Sequence, residues 1–230
     1  MKLGAITPVY NEETLIGGCV RNLAQFVDQH VVLVAEKPLY GEPSPLDKTA
    51  EIAEKEGAIV ITADWRQEHK QRNVGVELLS DCDYILSFDA DMRITRENFE
   101  KAYKQLKEIR PSAAIIKQHS YWRDWNNRII DDYFKPVFAL RPDVRFVHIG
   151  NVDCPAYILE DCHIHHLAWC FPKDIEKKVK TYSHAPEIAG DWYEKHYKNW
   201  SGGSEITLPD KKYHIVDEPI PDELCEFLHG

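Results

Sequence analysis

The feature that most constrains this chain is an alternation, across its first half, of continuous apolar runs with stretches whose apolar residues recur at helical spacing. LGAIT (3–7), HVVLVAE (30–36), AIVIT (58–62), YILSFD (84–89) and AAIIK (113–117) read as strands. Between the first two, apolar residues at 15, 16, 19, 20, 23, 26 and 27 trace one helical face, with Asn11 expected as N-cap and Glu12 and Glu13 in the first turn. Further helices are expected near 46–56, ending at Gly57, and over 68–80. Thr95 is expected to cap a fourth helix, with the face Phe99, Ala102, Tyr103, Leu106 and Ile109, ended by Pro111. Strands that are apolar throughout, rather than at every second residue, are covered on both faces. Strand and helix in alternation therefore predict an α/β fold with a mostly parallel central sheet and helices on both sides. Ligands of such sheets bind beyond the carboxyl ends of the strands. YILSFDADM then acquires a meaning, because its buried run delivers Asp89 and Asp91 to that end.

After residue 118 the rhythm changes. Residues 119–170 are rich in aromatics, histidine and acids, with strand-like pieces at PVFAL and RFVHI, and predict a small antiparallel region. Two amphipathic C-terminal helices follow, the first aligning Ile175, Val179 and Tyr182, and a tail from about 201 reads as an extended segment.

Composition narrows the function. A formal charge of −10 over 230 residues gives no general attraction for nucleic acid or acidic lipid. The start lacks a signal-peptide core and no run approaches the roughly 18 apolar residues of a membrane span, so a cytoplasmic protein is expected. Six cysteines in such a chain are expected to be reduced. Cys154, Cys162, His163, His165, His166 and Cys170 invite a zinc reading, which the lack of a short-gap cysteine pair disfavours.

Two carboxylates one residue apart can share a hard cation such as Mg²⁺ or Mn²⁺. The spacing alone is weak, since Asp81 and Asp83 repeat it. Position at a strand end raises the pair Asp89 and Asp91. Lys70, Arg72 and Asn73 open a helix facing the same end, where a guanidinium and a helix N-terminus suit a diphosphate. Trp122 and Trp125 could stack on sugar rings or on a nucleobase, or be core.

ITPVYNEE, WRQEHKQRNVG, YILSFDADM and HHLAWCFPKDIEKKVKTYS, in this order over residues 4–183, together resemble family 2 glycosyltransferases of the GT-A fold, especially small bacterial and phage members. The resemblance implies one Rossmann-like catalytic domain over 1–200, with a nucleotide-sugar half at about 1–118 and an acceptor half at about 119–200, followed by a tail at 201–230. It implies transfer of a sugar, with inversion, from a UDP-sugar to a hydroxyl acceptor, a saccharide or glycolipid, with Mn²⁺ or Mg²⁺ on the diphosphate. Asp91 would ligate the metal, Asp89 would bind it through water or hold the ribose, and His166, with His165 as the alternative, would complete the shell. Pro8, Val9, Tyr10, Glu12 and Ala90 would flank the nucleotide. Glu36 stands where the family usually has an aspartate touching the base. Alignment puts a catalytic base at Asp153, with Asp124 and Asp132 as alternatives. Lys178 and Tyr182 match a Lys-x-x-x-Tyr helix that packing explains equally well. A DNA glycosyltransferase acting on a hydroxymethylated pyrimidine and a non-catalytic nucleotide-sugar-binding module are the competing readings. Nucleotidyl transfer is disfavoured, because TPVYNEE has no glycine-rich loop and two acids.

Overall fold

The computed structural model describes residues 1–181, 188, 191–208 and 212–229. Strands β1 (Leu3–Val9), β2 (Gln29–Ala35), β3 (Ile59–Ala63) and β4 (Tyr84–Ser87) lie in the order β3-β2-β1-β4, all parallel. They are linked by helices α1 (Ile16–Leu23), α2 (Thr49–Lys55) and α3 (Glu68–Leu78). The apolar runs of β1, β2 and β4 are buried as their composition requires, with Ala5, Ile6, Val32, Leu33, Ile85 and Leu86 all fully enclosed, whereas β3 at the sheet edge leaves Ile59 half exposed. Gly75 lets α3 cross closely, since a Cβ there would sit 2.6 Å from the Ile6 side chain.

Beyond β4 the chain makes a two-residue strand β5 (Met92–Arg93) and then α4 (Arg96–Ile109), whose first turn Thr95 caps by accepting from the Asn98 N–H at 3.2 Å. Phe99, Ala102 and Leu106 are buried, whereas Ile109 is half exposed, because the helix ends one residue later at Arg110 in a left-handed conformation (φ 53°).

The second half is built differently. Strands β6 (Ala113–Trp122), β7 (Asn127–Ile129) and β8 (Val137–Leu140) extend the sheet, with β8 antiparallel to both β4 and β6. A separate hairpin pairs β9 (Phe146–His148) with β10 (Asn151–Val152). The long strand β11 (Ala156–Trp169) runs parallel to β6 and antiparallel to β5, leading into α5 (Pro172–Thr181). Ile175 and Val179 are buried on α5 as expected, while Tyr182 lies outside the described residues. A π-helical turn over Tyr193–Lys198 follows. In the C-terminal segment, β12 (Glu205–Thr207) and β13 (Lys212–Asp217) form a hairpin that joins the sheet through β7. Ile206, Tyr213 and Ile215 bury their side chains with Trp122.

One expectation changes, and one buried charge adds a difference that the sequence did not announce. Asn11 does not cap α1, which begins at Ile16 behind an uncapped Leu15. Instead Asn11 is left-handed (φ 54°) and its amide reaches the loop before α2, bonding Ser44 Oγ at 3.0 Å and accepting from the Asp47 N–H at 2.9 Å. Glu12 N–H donates to Thr49 Oγ1 at 2.7 Å, so this turn and that loop hold each other. The second difference is Arg93, fully buried without a carboxylate partner. Its guanidinium donates instead to the carbonyls of Leu15, Ala90, Met92 and Phe227 at 2.6 to 2.8 Å, the last in a 3-10 turn over Asp222–Phe227. Four carbonyl dipoles replace the lost hydration of the charge and fix the backbone on either side of Asp91.

Candidate active site

A cleft of about 980 Å³ opens at the carboxyl ends of β1, β2 and β4 and runs across β6, β11 and α5. Pro8, Val9, Tyr10, Glu12, Arg72 and Ala90 line it, together with Asp89, Asp91 and His166. Most of the expected donor-side residues therefore share one space.

The two acids are handled unequally. Asp91 is 5% exposed, its backbone carbonyl accepts from the Leu167 N–H at 2.8 Å, and its Oδ2 accepts from the Lys178 ammonium. Burial by itself would raise the Asp91 carboxyl, but the Lys178 ammonium overcomes it and holds the group below the ordinary carboxylate range. Asp89 accepts from Arg72 Nη2 at 2.8 Å, and burial, opposed by Arg72 and reinforced by Asp91, pushes its carboxyl up. Arg72 is also bound to Glu68 Oε1 at 2.7 Å and donates to Ser87 Oγ at 2.8 Å. It lines the cleft as a group already committed to orienting Asp89.

His166 Nε2 faces Asp91 Oδ1 at 3.6 Å. For the neutral ring, the tautomer follows from the other side. Ser120 Oγ donates its only hydrogen to Asp132 Oδ2 at 2.6 Å, since a carboxylate cannot donate. The contact of 3.0 Å between Ser120 Oγ and His166 Nδ1 is then an N–H donation from the imidazole. Nε2 of the neutral ring is left with a lone pair pointing at Asp91 Oδ1, a buried oxygen without a hydrogen-bond partner among the described residues. Two acceptors face each other with no donor between them. That arrangement fits a cation, and the carboxylate and imidazole donors suit Mn²⁺ or Mg²⁺.

Glu12 sits at the same end of the cleft. Burial pushes its carboxyl up to about 7, with Asp91 and Asp174 adding to the rise and Lys178 and Lys177 opposing it. Lys177 also lies over the Tyr10 ring at 5.8 Å, and Tyr10 Oη accepts from the Ser44 N–H at 2.9 Å.

Other expected residues are placed elsewhere. Lys70 is exposed and off the cleft, because its position on α3 turns it outward. Asn73 is half-buried and ties α3 to β9, exchanging hydrogen bonds with the Phe146 backbone at 2.9 Å each way. Glu36 is exposed, while its neighbours Ala35 and Lys37 line the cleft. Asp153 is exposed on the β9–β10 hairpin, where its carboxylate accepts from the Arg145 N–H at 3.1 Å, and Asp124 is taken by the N–H of Asn126 at 2.8 Å and the Asn127 amide at 3.0 Å. Of the three expected bases only Asp132 lines the cleft. Trp122 is 0% exposed inside an aromatic cluster with Trp169, Trp192, Tyr197 and Trp200, and Trp125 packs on Phe171 and His229. Trp122 cannot stack on an acceptor without unpacking its own core, and half-buried Trp125 lies off the cleft. His165 is turned to the opposite face of β11 from His166, by strand alternation. The second acidic pair behaves as a surface feature, with Asp81 mostly exposed and paired with Lys2.

Sequence reasoning missed Ser120, Gln118, Lys177 and Asp174, all of which line the cleft. The strand pattern of β6 carried the signal for the first two, since Gln118 and Ser120 are two apart and so share one face of the strand. Lys177 and Asp174 follow from the helical spacing that puts them beside Lys178.

A covered, mostly parallel sheet whose central strand ends in paired carboxylates, flanked by a small antiparallel region, defines the GT-A class of folds. The chain belongs to glycosyltransferase family 2: the family model for glycosyl transferase family 2 matches residues 5–155. Among solved structures, S. aureus TarS is similar over 87% of this chain and 44% of its own, at 16% identity and a TM-score of 0.50. A glucosyl-3-phosphoglycerate synthase from Mycobacterium tuberculosis, described in complex with Mn²⁺, uridine diphosphate and phosphoglyceric acid, matches 52% of this chain and 43% of its own at 15% identity and a TM-score of 0.40. The chain thus spans less than half the length of either. No curated protein matches it by sequence. No described helix is long and apolar enough to cross a membrane.

Proposed function

We propose that the protein is a metal-dependent, inverting glycosyltransferase that moves a sugar from a UDP-sugar to the hydroxyl of a saccharide or glycolipid. The observation that carries this reading is the pair of facing acceptors, Asp91 Oδ1 and His166 Nε2, at the strand end where a diphosphate would lie. Asp91 and His166, with Asp89 directly or through water, would hold Mn²⁺ or Mg²⁺. The bound ion supplies neutralisation of the charge that grows on the diphosphate as the sugar leaves.

The chain's own residues do the remaining work. Pro8, Val9, Tyr10 and Ala90 flank the nucleotide, and Tyr10 is held in place by its contact with Ser44. Lys177 and Lys178 bring two cations to the diphosphate end of a molecule that is otherwise strongly acidic. Arg72 keeps Asp89 in its rotamer, and the Arg93 clamp keeps Asp91 from shifting with its loop. Asp132 takes the proton of the acceptor hydroxyl as that oxygen attacks the sugar from the side opposite the diphosphate. Its carboxylate accepts from Ser120, Gln118 and the Phe134 N–H, which orients it. A carboxylate is too weak a base to deprotonate an alcohol beforehand, so transfer to it is concerted with bond formation.

Incubation with UDP-glucose and Mn²⁺ tests this directly. Release of UDP that depends on metal, and that Asp91→Asn removes, supports the enzyme. Binding of UDP and Mn²⁺ without turnover against a broad panel of acceptors would instead make the protein a binding module.

A further inference from the structure

A second cluster of ligands lies on the far face of the same two strands. Along β6, Gln118 and Ser120 line the cleft, and His119 and Tyr121 point the other way. Along β11, His166 lines the cleft, and His163 and His165 point away from it. Register places His119 beside His165 across the parallel pair. The three rings of His119, His163 and His165 consequently crowd together, with centroids 3.7 Å apart for His119 and His163, 4.9 Å for His163 and His165, and 5.9 Å for His119 and His165. One nitrogen from each ring falls within 4.8 Å of the others.

His165 is 2% exposed, and its Nε2 has no hydrogen-bond partner among the described residues. Leaving a ring nitrogen dry and unpaired is unfavourable, so its orientation needs a cause. Its Nδ1 lies 2.8 Å from Tyr121 Oη, an outer partner that can accept the Nδ1 proton and leave the Nε2 lone pair facing the cluster. Asn98, held by Thr95 at the start of α4, approaches His163 Nε2 at 3.4 Å and accepts from the His163 N–H at 3.2 Å, fixing that strand from the helix side. Arg128 is the adverse charge nearby, and Glu218, bonded to it at 2.7 Å, offsets it.

We infer that His119, His163 and His165 form a binding site for a borderline-soft divalent ion of the Zn²⁺ class, separate from the cleft. Three imidazoles and one open position for water are a donor set that such an ion accepts and Mg²⁺ does not. The sequence disfavoured zinc here because the reading depended on the cysteines. Cys154, Cys162 and Cys170 take no part in the cluster, and the third ligand, His119, comes from another strand. An ion at this place would clip β6 to β11 one residue away from Ser120 and from His166. It is thus placed to stiffen the donor site from behind without touching substrate.

The site is independent of the proposed activity, and its test uses Co²⁺ as a spectroscopic substitute. The Asp91→Asn protein, stripped with a chelator, is expected to take up one Co²⁺ per chain with visible absorption of tetrahedral, nitrogen-rich coordination, unchanged by UDP. The double variant Asp91→Asn, His163→Asn is expected to lose that uptake. Should this variant not fold, X-ray absorption of the Zn²⁺-loaded Asp91→Asn protein decides the question, with three imidazoles in the shell expected. No bound ion in the Asp91→Asn protein, uptake that survives His163→Asn, or a shell without imidazoles overturns the proposal.

Discussion

In the parallel half of the molecule each strand gives the cleft only its carboxyl end, whereas in the second half β6 and β11 run alongside the cleft and give it side chains along their length. The first arrangement concentrates function in short loops: Pro8 to Glu12 after β1, Asp89 to Asp91 after β4. The second distributes it by alternation, with Gln118, Ser120 and His166 on one face and His119, His163 and His165 on the other. Beside the cleft the two halves meet where β11 pairs with β5 and sets His166 against Asp91. A loop end can be altered without disturbing a second site, but a change on β6 or β11 is felt on both faces.

The largest effect is expected at the meeting point. Asp91→Asn removes the donor oxygen that both halves address, and the rate of metal-dependent UDP release should fall on the order of 10²–10³-fold in steady-state assays. Ser120→Ala leaves the loops intact and removes only what fixes the His166 tautomer from behind. Mn²⁺ affinity, followed by calorimetry, should weaken by roughly 10- to 100-fold, and an unchanged affinity would detach the second half from the metal. Lys178→Ala should move affinity and turnover in opposite directions. Removing a cation beside Asp91 tightens Mn²⁺ binding by several-fold while slowing transfer, because burial had been balanced by that charge.

A smaller effect concerns pH. The folded chain holds the Glu12 proton up to about 7, against an ordinary value of 4.5, so the stability this group contributes is full below pH 4.5 and is lost as pH rises through 7. Urea unfolding at pH 5 and pH 7.5 should show that decline in the native protein and a flatter profile in Glu12→Gln. The least effect is expected from Asp153→Asn, whose carboxylate only closes a surface hairpin. Turnover should stay within about twofold, as is usual for surface changes away from a site.

The same contrast governs what could be read from the residues. β1, β2 and β4 were legible because burial on both faces leaves an apolar run, and Asp89 and Asp91 were legible because acids are out of place at the end of one. Asn11 was misread because its side chain satisfies a loop more than thirty residues away rather than its own helix, a tertiary bond that local pattern does not carry. Trp122 and Trp125 were ambiguous for a related reason, since an aromatic has the same identity in a core as on a sugar. Asp153 came from alignment across the region where the β9–β10 hairpin interrupts the strands. The second histidine cluster was illegible because it joins residues 119 and 165, which only the parallel register of β6 and β11 brings together.

The account turns on the space between Asp91 Oδ1 and His166 Nε2. Anomalous diffraction at the manganese edge, from crystals grown with Mn²⁺ and UDP, tests it most directly. The expected result is an ion bound by both of those atoms and by the diphosphate, with the Lys178 ammonium remaining on the other Asp91 oxygen. A diphosphate seated there with no anomalous signal, contacted by Lys177 and Lys178 alone, would contradict it.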